Sequence, residues 1–76
     1  MALMEREREI CRQFGRRLVR LREKHGLTQE ALAEKAGIST KYLQNLEGKR
    51  PKKATIVSLY KLANGFGMAL WKLLKF

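Results

Sequence analysis

The chain has no aspartate, and none of its seven glutamates lies beyond Glu47. Its single cysteine, Cys11, excludes an internal disulfide and fits a reducing compartment. One histidine and one cysteine leave no metal-ligand spacing. There is no evident nucleophile–base pair and no glycine-rich phosphate loop. An enzyme is therefore not expected, and neither is a metal or a cofactor. No apolar run approaches the roughly 20 residues of a membrane-spanning helix. The opening Met-Ala-Leu-Met leads into alternating Glu and Arg, not from a cationic stretch into an apolar one, so no export signal is expected. The expected location is the cytoplasm. Proline occurs once, at Pro51.

Positive charge is what the chain has in excess. The formal net charge is +10 on 76 residues. A charge of that size on one small domain, taken here as residues 1–76, points to a polyanionic partner. Its distribution is uneven. Residues 1–26 carry +4, residues 27–47 carry −1, and residues 48–76 carry +7 with no acid at all. A nearly neutral middle lies between two basic flanks.

Apolar spacings of three and four recur throughout and no segment alternates with period two, which predicts an all-α fold of five helices. The first is expected from Leu3 to Lys24, with residues 1–9 as a frayed or extended start, Ile10, Phe14, Leu18 and Leu21 inward and Gly26 as its stop. Thr28 caps a second over Gln29–Ala36, closed by Gly37. Ser39 caps a third over Thr40–Glu47, closed by Gly48. Thr55 caps a fourth over Ile56–Asn64, with Ile56, Leu59, Leu62 and Ala63 inward, and Gly65 and Gly67 break the chain. The fifth is expected over Ala69–Leu74, without a good capping side chain.

The second and third helices are joined by Gly37, Ile38 and Ser39 alone, the sequence form of a helix-turn-helix. Such a pair packs only if Ala33 is small, Gly37 can take positive φ and Leu43 is apolar. Leu32, Ala36, Ile38 and Leu46 complete the inside. With Leu43 and Leu46 buried, Thr40, Lys41, Gln44 and Asn45 face outward. These four would otherwise read as an ordinary solvated face.

The stretch LTQEALAEKAGISTKYLQNLEGKR resembles the helix-turn-helix of the Cro/cI-type (Xre-like) repressors. The likeness extends back through FGRRLVRLREKHG and forward to Leu74. It implies a compact five-helix domain that binds double-stranded DNA, with the third helix in the major groove. Thr40, Lys41, Gln44 and Asn45 would then read base edges: Lys41 can donate to guanine, and Asn45 or Gln44 can pair with adenine. The resemblance also implies that Gln29 holds a backbone phosphate and braces the readers. Ser39 and Tyr42 join the expected phosphate contacts. Glu47 would pair with Arg22 in a bridge that clamps the first helix to the third.

Four cations, Lys49, Arg50, Lys52 and Lys53, surround Pro51 directly after the neutral reading helix. Phosphate contacts supply affinity and register while base contacts supply choice, so this segment is the expected phosphate grip. Arg12, Arg16, Arg17 and Arg20 on the first helix are left between phosphate contact and plain solvation. His25 is read as a helix-end residue rather than a ligand.

The ending FGMALWKLLKF is apolar almost all round. Some of Met68, Leu70, Trp71, Leu74 and Phe76 must stay exposed in a monomer, and exposed apolar patches mark interfaces. The expected partner is a second copy, because two-fold dimers reading palindromes suit a headpiece this small. A different protein partner, as in antitoxin-like members of the same family, is the alternative. A membrane-surface role for the Trp-Lys segment is disfavoured by its shortness. The chain leaves no room for an effector-binding domain, so no small-molecule effector is expected.

Overall fold

The computed structural model describes residues 4–76. Among these residues there are five helices and no strand: α1 (Glu5–Lys24), α2 (Gln29–Ala36), α3 (Thr40–Glu47), α4 (Ile56–Gly65) and α5 (Leu70–Leu73). The expected start of the first helix, Leu3, lies outside the described residues. None of the described helices is long and apolar enough to cross a membrane.

Local chemistry sets the helix ends. Thr28 Oγ1 accepts from the Ala31 N–H, Ser39 Oγ from the Tyr42 N–H, and Thr55 Oγ1 from the Ser58 N–H, each at 3.0 Å. Each such cap contributes about 1 kcal/mol. Gly26, Gly37 and Gly67 carry φ near +70° (66°, 73° and 68°), reversing the chain after α1, α2 and α4. At Gly37 the reversal lets the Ile38 N–H reach back to the Ala33 carbonyl at 3.0 Å, so the turn between α2 and α3 closes on itself. Gly65 does not break the chain as expected. It is the last residue of α4, and its flank faces Ala36 so closely that a Cβ there would lie 3.2 Å from the Ala36 Cβ.

The core draws a fully buried leucine from every helix: Leu18, Leu32, Leu43 and Leu46, Leu62, and Leu73. Each is worth roughly 1.5–3 kcal/mol of burial. α1 packs on α3, α2 on both α3 and α4, and α4 on α5. Two expected core residues prove exposed. Ile10 is 52% exposed and Ile56 is 64% exposed. Ile10 lines an open apolar pocket with Leu46, Leu59, Leu74 and Phe76 that leaves it partly in solvent, and Ile56 is the first residue of α4, beside its cap Thr55. The inward place near the start of α4 goes to Ser58, whose hydroxyl lies 3.0 Å from the Tyr42 hydroxyl. The fifth helix is shorter than expected, and Ala69 gives it no side-chain cap.

Candidate nucleic-acid interface

α3 turns its leucines inward and its polar residues outward. Leu43 and Leu46 are buried, Lys41 and Gln44 are exposed, and Thr40 and Asn45 are half-buried. Lys41 and Asn45 stand one turn apart on the same side. The four expected base readers thus share a surface whose only formal charge is that of Lys41.

A hydrogen-bonded chain fixes that helix in place. Arg22 grips Glu47 with two bonds, Nε to Oε2 at 2.9 Å and Nη2 to Oε1 at 3.1 Å. The two side chains are only 17% and 4% exposed. The Glu47 carboxylate raises the Arg22 pKa above its ordinary value, against the opposing effect of burial. Arg22 Nη1 also donates to the Leu27 carbonyl at 3.0 Å, tying α1 to the entry of α2. Gln29 Nε2 donates to Glu47 Oε1 at 2.9 Å, and Gln44 Nε2 donates to Gln29 Oε1 at 3.4 Å. The chain Arg22–Glu47–Gln29–Gln44 therefore runs from α1 through α2 to the outer face of α3. Glu47, the last acid in the sequence, has its charge consumed within the fold.

The segment between α3 and α4 presents the cations. Pro51 is buried while Lys49, Arg50, Lys52 and Lys53 around it are exposed. The proline is thus an anchor, a role its sequence position alone does not announce. Of the other expected phosphate contacts, the Ser39 hydroxyl already accepts the Tyr42 N–H, and the Tyr42 hydroxyl points to Ser58. Both leave part of the hydrogen-bonding capacity of a hydroxyl unspent.

The arginines of α1 divide. Arg17 donates to the carbonyls of Lys72 at 2.8 Å and Leu73 at 3.3 Å, holding the end of α5 against α1. Arg12 contacts Glu5 and Glu9, and Arg16 lies 3.5 Å from Glu9. Arg20 is exposed. His25 forms the C-cap of α1 and rests its ring on Phe66, with centroids 5.1 Å apart.

Two groups of apolar residues are also exposed. Trp71, Leu74 and Phe76 of the expected interface are exposed, whereas Met68 and Leu70 pack against the core. Ile56, Val57 and Tyr60 form a second exposed apolar group on α4, which the sequence reading did not single out.

A buried Arg–Glu clamp under a neutral polar helix, next to an exposed basic loop, is a helix-turn-helix arrangement, and comparison with known proteins agrees. Residues 15–75 match the family described as helix-turn-helix domain. The chain belongs to the Xre-like helix-turn-helix family. Over 55 residues it is 40% identical to an uncharacterized HTH-type transcriptional regulator, y4dJ, from Sinorhizobium fredii (strain NBRC 101917 / NGR234), covering 72% of this chain and 70% of that protein. Its fold is similar to the crystal structure of the restriction-modification controller protein C.AhdI from Aeromonas hydrophila. That similarity has a TM-score of 0.77 at 32% identity and covers 83% of this chain and 94% of the other. As a helix-turn-helix protein of the transcriptional-regulator kind, it is a binder of double-stranded DNA.

Proposed function

We propose that the protein is a sequence-specific transcriptional regulator, a repressor in role, that binds a palindromic operator as a homodimer with α3 in the major groove. One observation carries the reading: the polar outer face of α3, with Lys41 as its one charge, is locked by the Arg22–Glu47–Gln29–Gln44 chain and flanked by four exposed cations. A rigid helix with little charge can discriminate between bases because its contacts are positioned before binding. The adjacent cations supply affinity that does not depend on sequence. Thr40, Lys41, Gln44 and Asn45 read bases, and Gln29, Ser39, Tyr42, Lys49, Arg50, Lys52 and Lys53 meet phosphates. The second copy docks through Trp71, Leu74 and Phe76, with Met68 and Leu70 supporting them from beneath. The cytoplasm is the place of action, with no small-molecule effector.

The exposed Ile56, Val57 and Tyr60 favour one other reading, an antitoxin-like protein whose main partner is a different protein and whose DNA binding is autoregulatory. Selection of binding sites from random duplexes separates the two. An enriched palindrome supports the dimeric regulator, and no enrichment favours the protein-interaction reading.

A further inference from the structure

α1 and the segment after α3 enclose a cleft that the base-reading face does not account for. One part, about 420 Å³, is lined by Arg12, Arg16, Arg20 and Lys49 together with Val19 and the end of α3. The adjoining part, about 350 Å³, is lined by Arg8, Arg12, Lys49, Arg50 and Pro51. The two share Arg12 and Lys49, so they form one continuous channel.

Cations dominate its lining, though Glu5 and Glu9 on α1 contact Arg12, at 2.9 and 3.1 Å. The acid in its wall is Glu47, already held by Arg22 and 4% exposed. The arginines of α1 recur every four residues at 8, 12, 16 and 20. That spacing advances about 6 Å per step and about 18 Å in all, with the side chains on one slowly turning face. A row of that length suits an extended polyanion better than a single anion. It also begins beside Gly48 and Lys49, directly where α3 ends.

We propose that this channel is a second backbone site, which takes the phosphodiester strand flanking the half-site read by α3, with Glu9 as an internal counterion that the strand displaces. The proposal rests on the DNA-binding reading above. Glu9 is placed for the counterion role. Its Oε2 accepts from Arg12 Nε at 3.3 Å and Nη2 at 3.1 Å, and its Oε1 lies 3.5 Å from Arg16. The Arg12 guanidinium holds the Glu9 carboxyl below the usual carboxylate range, so it is ionised whenever DNA approaches at neutral pH. A phosphate that enters between Arg12 and Arg16 takes the place of the Glu9 carboxylate there, while Glu5 remains within reach of Arg12. Part of the attraction of α1 is therefore cancelled until DNA is long enough to fill the channel.

The test compares the salt dependence of binding on two duplexes carrying the same selected site, one cut at its edges and one with about ten flanking base pairs on each side. Arg16→Gln with Arg20→Gln changes two exposed residues. On the long duplex the double variant should lower the slope of log affinity against log salt by about 1.8, at about 0.9 per phosphate. Between 50 and 200 mM salt the wild type should then lose about tenfold more affinity than the variant. On the short duplex the two should coincide, and base preference should be unchanged on both. Glu9→Gln should act in the opposite direction, raising affinity and steepening the slope on the long duplex alone. An unchanged slope for the arginine variant on the long duplex, while Lys52→Ala with Lys53→Ala flattens it, overturns the channel and leaves the regulator reading intact. Failure of the wild type to bind any duplex overturns both.

Discussion

Gly15 and Leu46 meet where α1 crosses α3, so closely that a Cβ on Gly15 would lie 2.6 Å from the Leu46 carbonyl oxygen. The obstacle is backbone, which cannot swing aside as a side chain can. In an isolated helix Gly15→Ala would add about 1 kcal/mol of stability. Here the overlap must push α1 from α3, at a typical cost of about 1–3 kcal/mol. The net effect should be a lower urea midpoint. A midpoint at or above that of wild type would show that the crossing relaxes freely.

Glu47→Ala removes the centre of the clamp, leaving Arg22 with its bond to the Leu27 carbonyl and Gln29 with its contact to Gln44. Loss of one partner from a buried ion pair costs about 3–5 kcal/mol. For a domain of 76 residues that is a large part of the total stability. Thermal melting measured by circular dichroism should therefore shift down by many degrees. A change of only a degree or two would mean that water replaces the lost carboxylate. Arg22→Met should lower stability by a similar amount. The double variant should cost less than the two single changes combined.

The readout assignment makes Lys41→Ala and Asn45→Ala distinguishable. Each should relax preference at a different base pair of the half-site, by about 1–3 kcal/mol of discrimination. Lys41→Ala should also weaken non-specific binding slightly, since it removes a charge, and Asn45→Ala should not. Competition among single base-pair variants of a selected site measures both. Equal loss on every variant would make α3 a backbone anchor without readout.

Trp71 is 65% exposed, so Trp71→Ala should leave the fold unchanged. If Trp71, Leu74 and Phe76 hold a second copy, the change should shift sedimentation toward the monomer at micromolar concentration. Cooperative binding to a palindrome should weaken with it. A wild type that sediments as a monomer at all concentrations would remove the dimer from the proposed function.

The middle of the fold was legible because its signals are local. Thr28 and Ser39 accept hydrogen bonds from residues three ahead, and Gly37 turns the chain by its own φ. The bounds of α2 and the start of α3 follow from those residues alone. Ile10 and Ile56 prove exposed because periodicity tells which side of a helix is apolar, not how fully that side is covered. The role of Gly15 is hidden in the sequence. Inside a helix it reads only as a weak residue until the Leu46 carbonyl is seen beside it. The Arg22–Glu47 pair is implied by the family resemblance, and the structure adds the bond from Gln29 to the same carboxylate. The contact of Arg17 with Lys72 and Leu73 joins residues 55 and 56 positions apart, which no spacing rule reaches.

If Lys49, Arg50, Lys52 and Lys53 meet phosphates as proposed, burial of Pro51 has a kinetic meaning. Lys49, Arg50, Lys52 and Lys53 repel one another, and an unanchored loop would let them spread apart in the free protein. Gathering them on DNA would then require the loop to reorder at the moment of contact, slowing capture. With the proline seated in the fold, the cations stand together before DNA arrives, and backbone ordering has been charged to folding instead. Encounter with a duplex can then proceed at a rate set by diffusion and electrostatic steering, and salt slows it by screening the field that draws the two together.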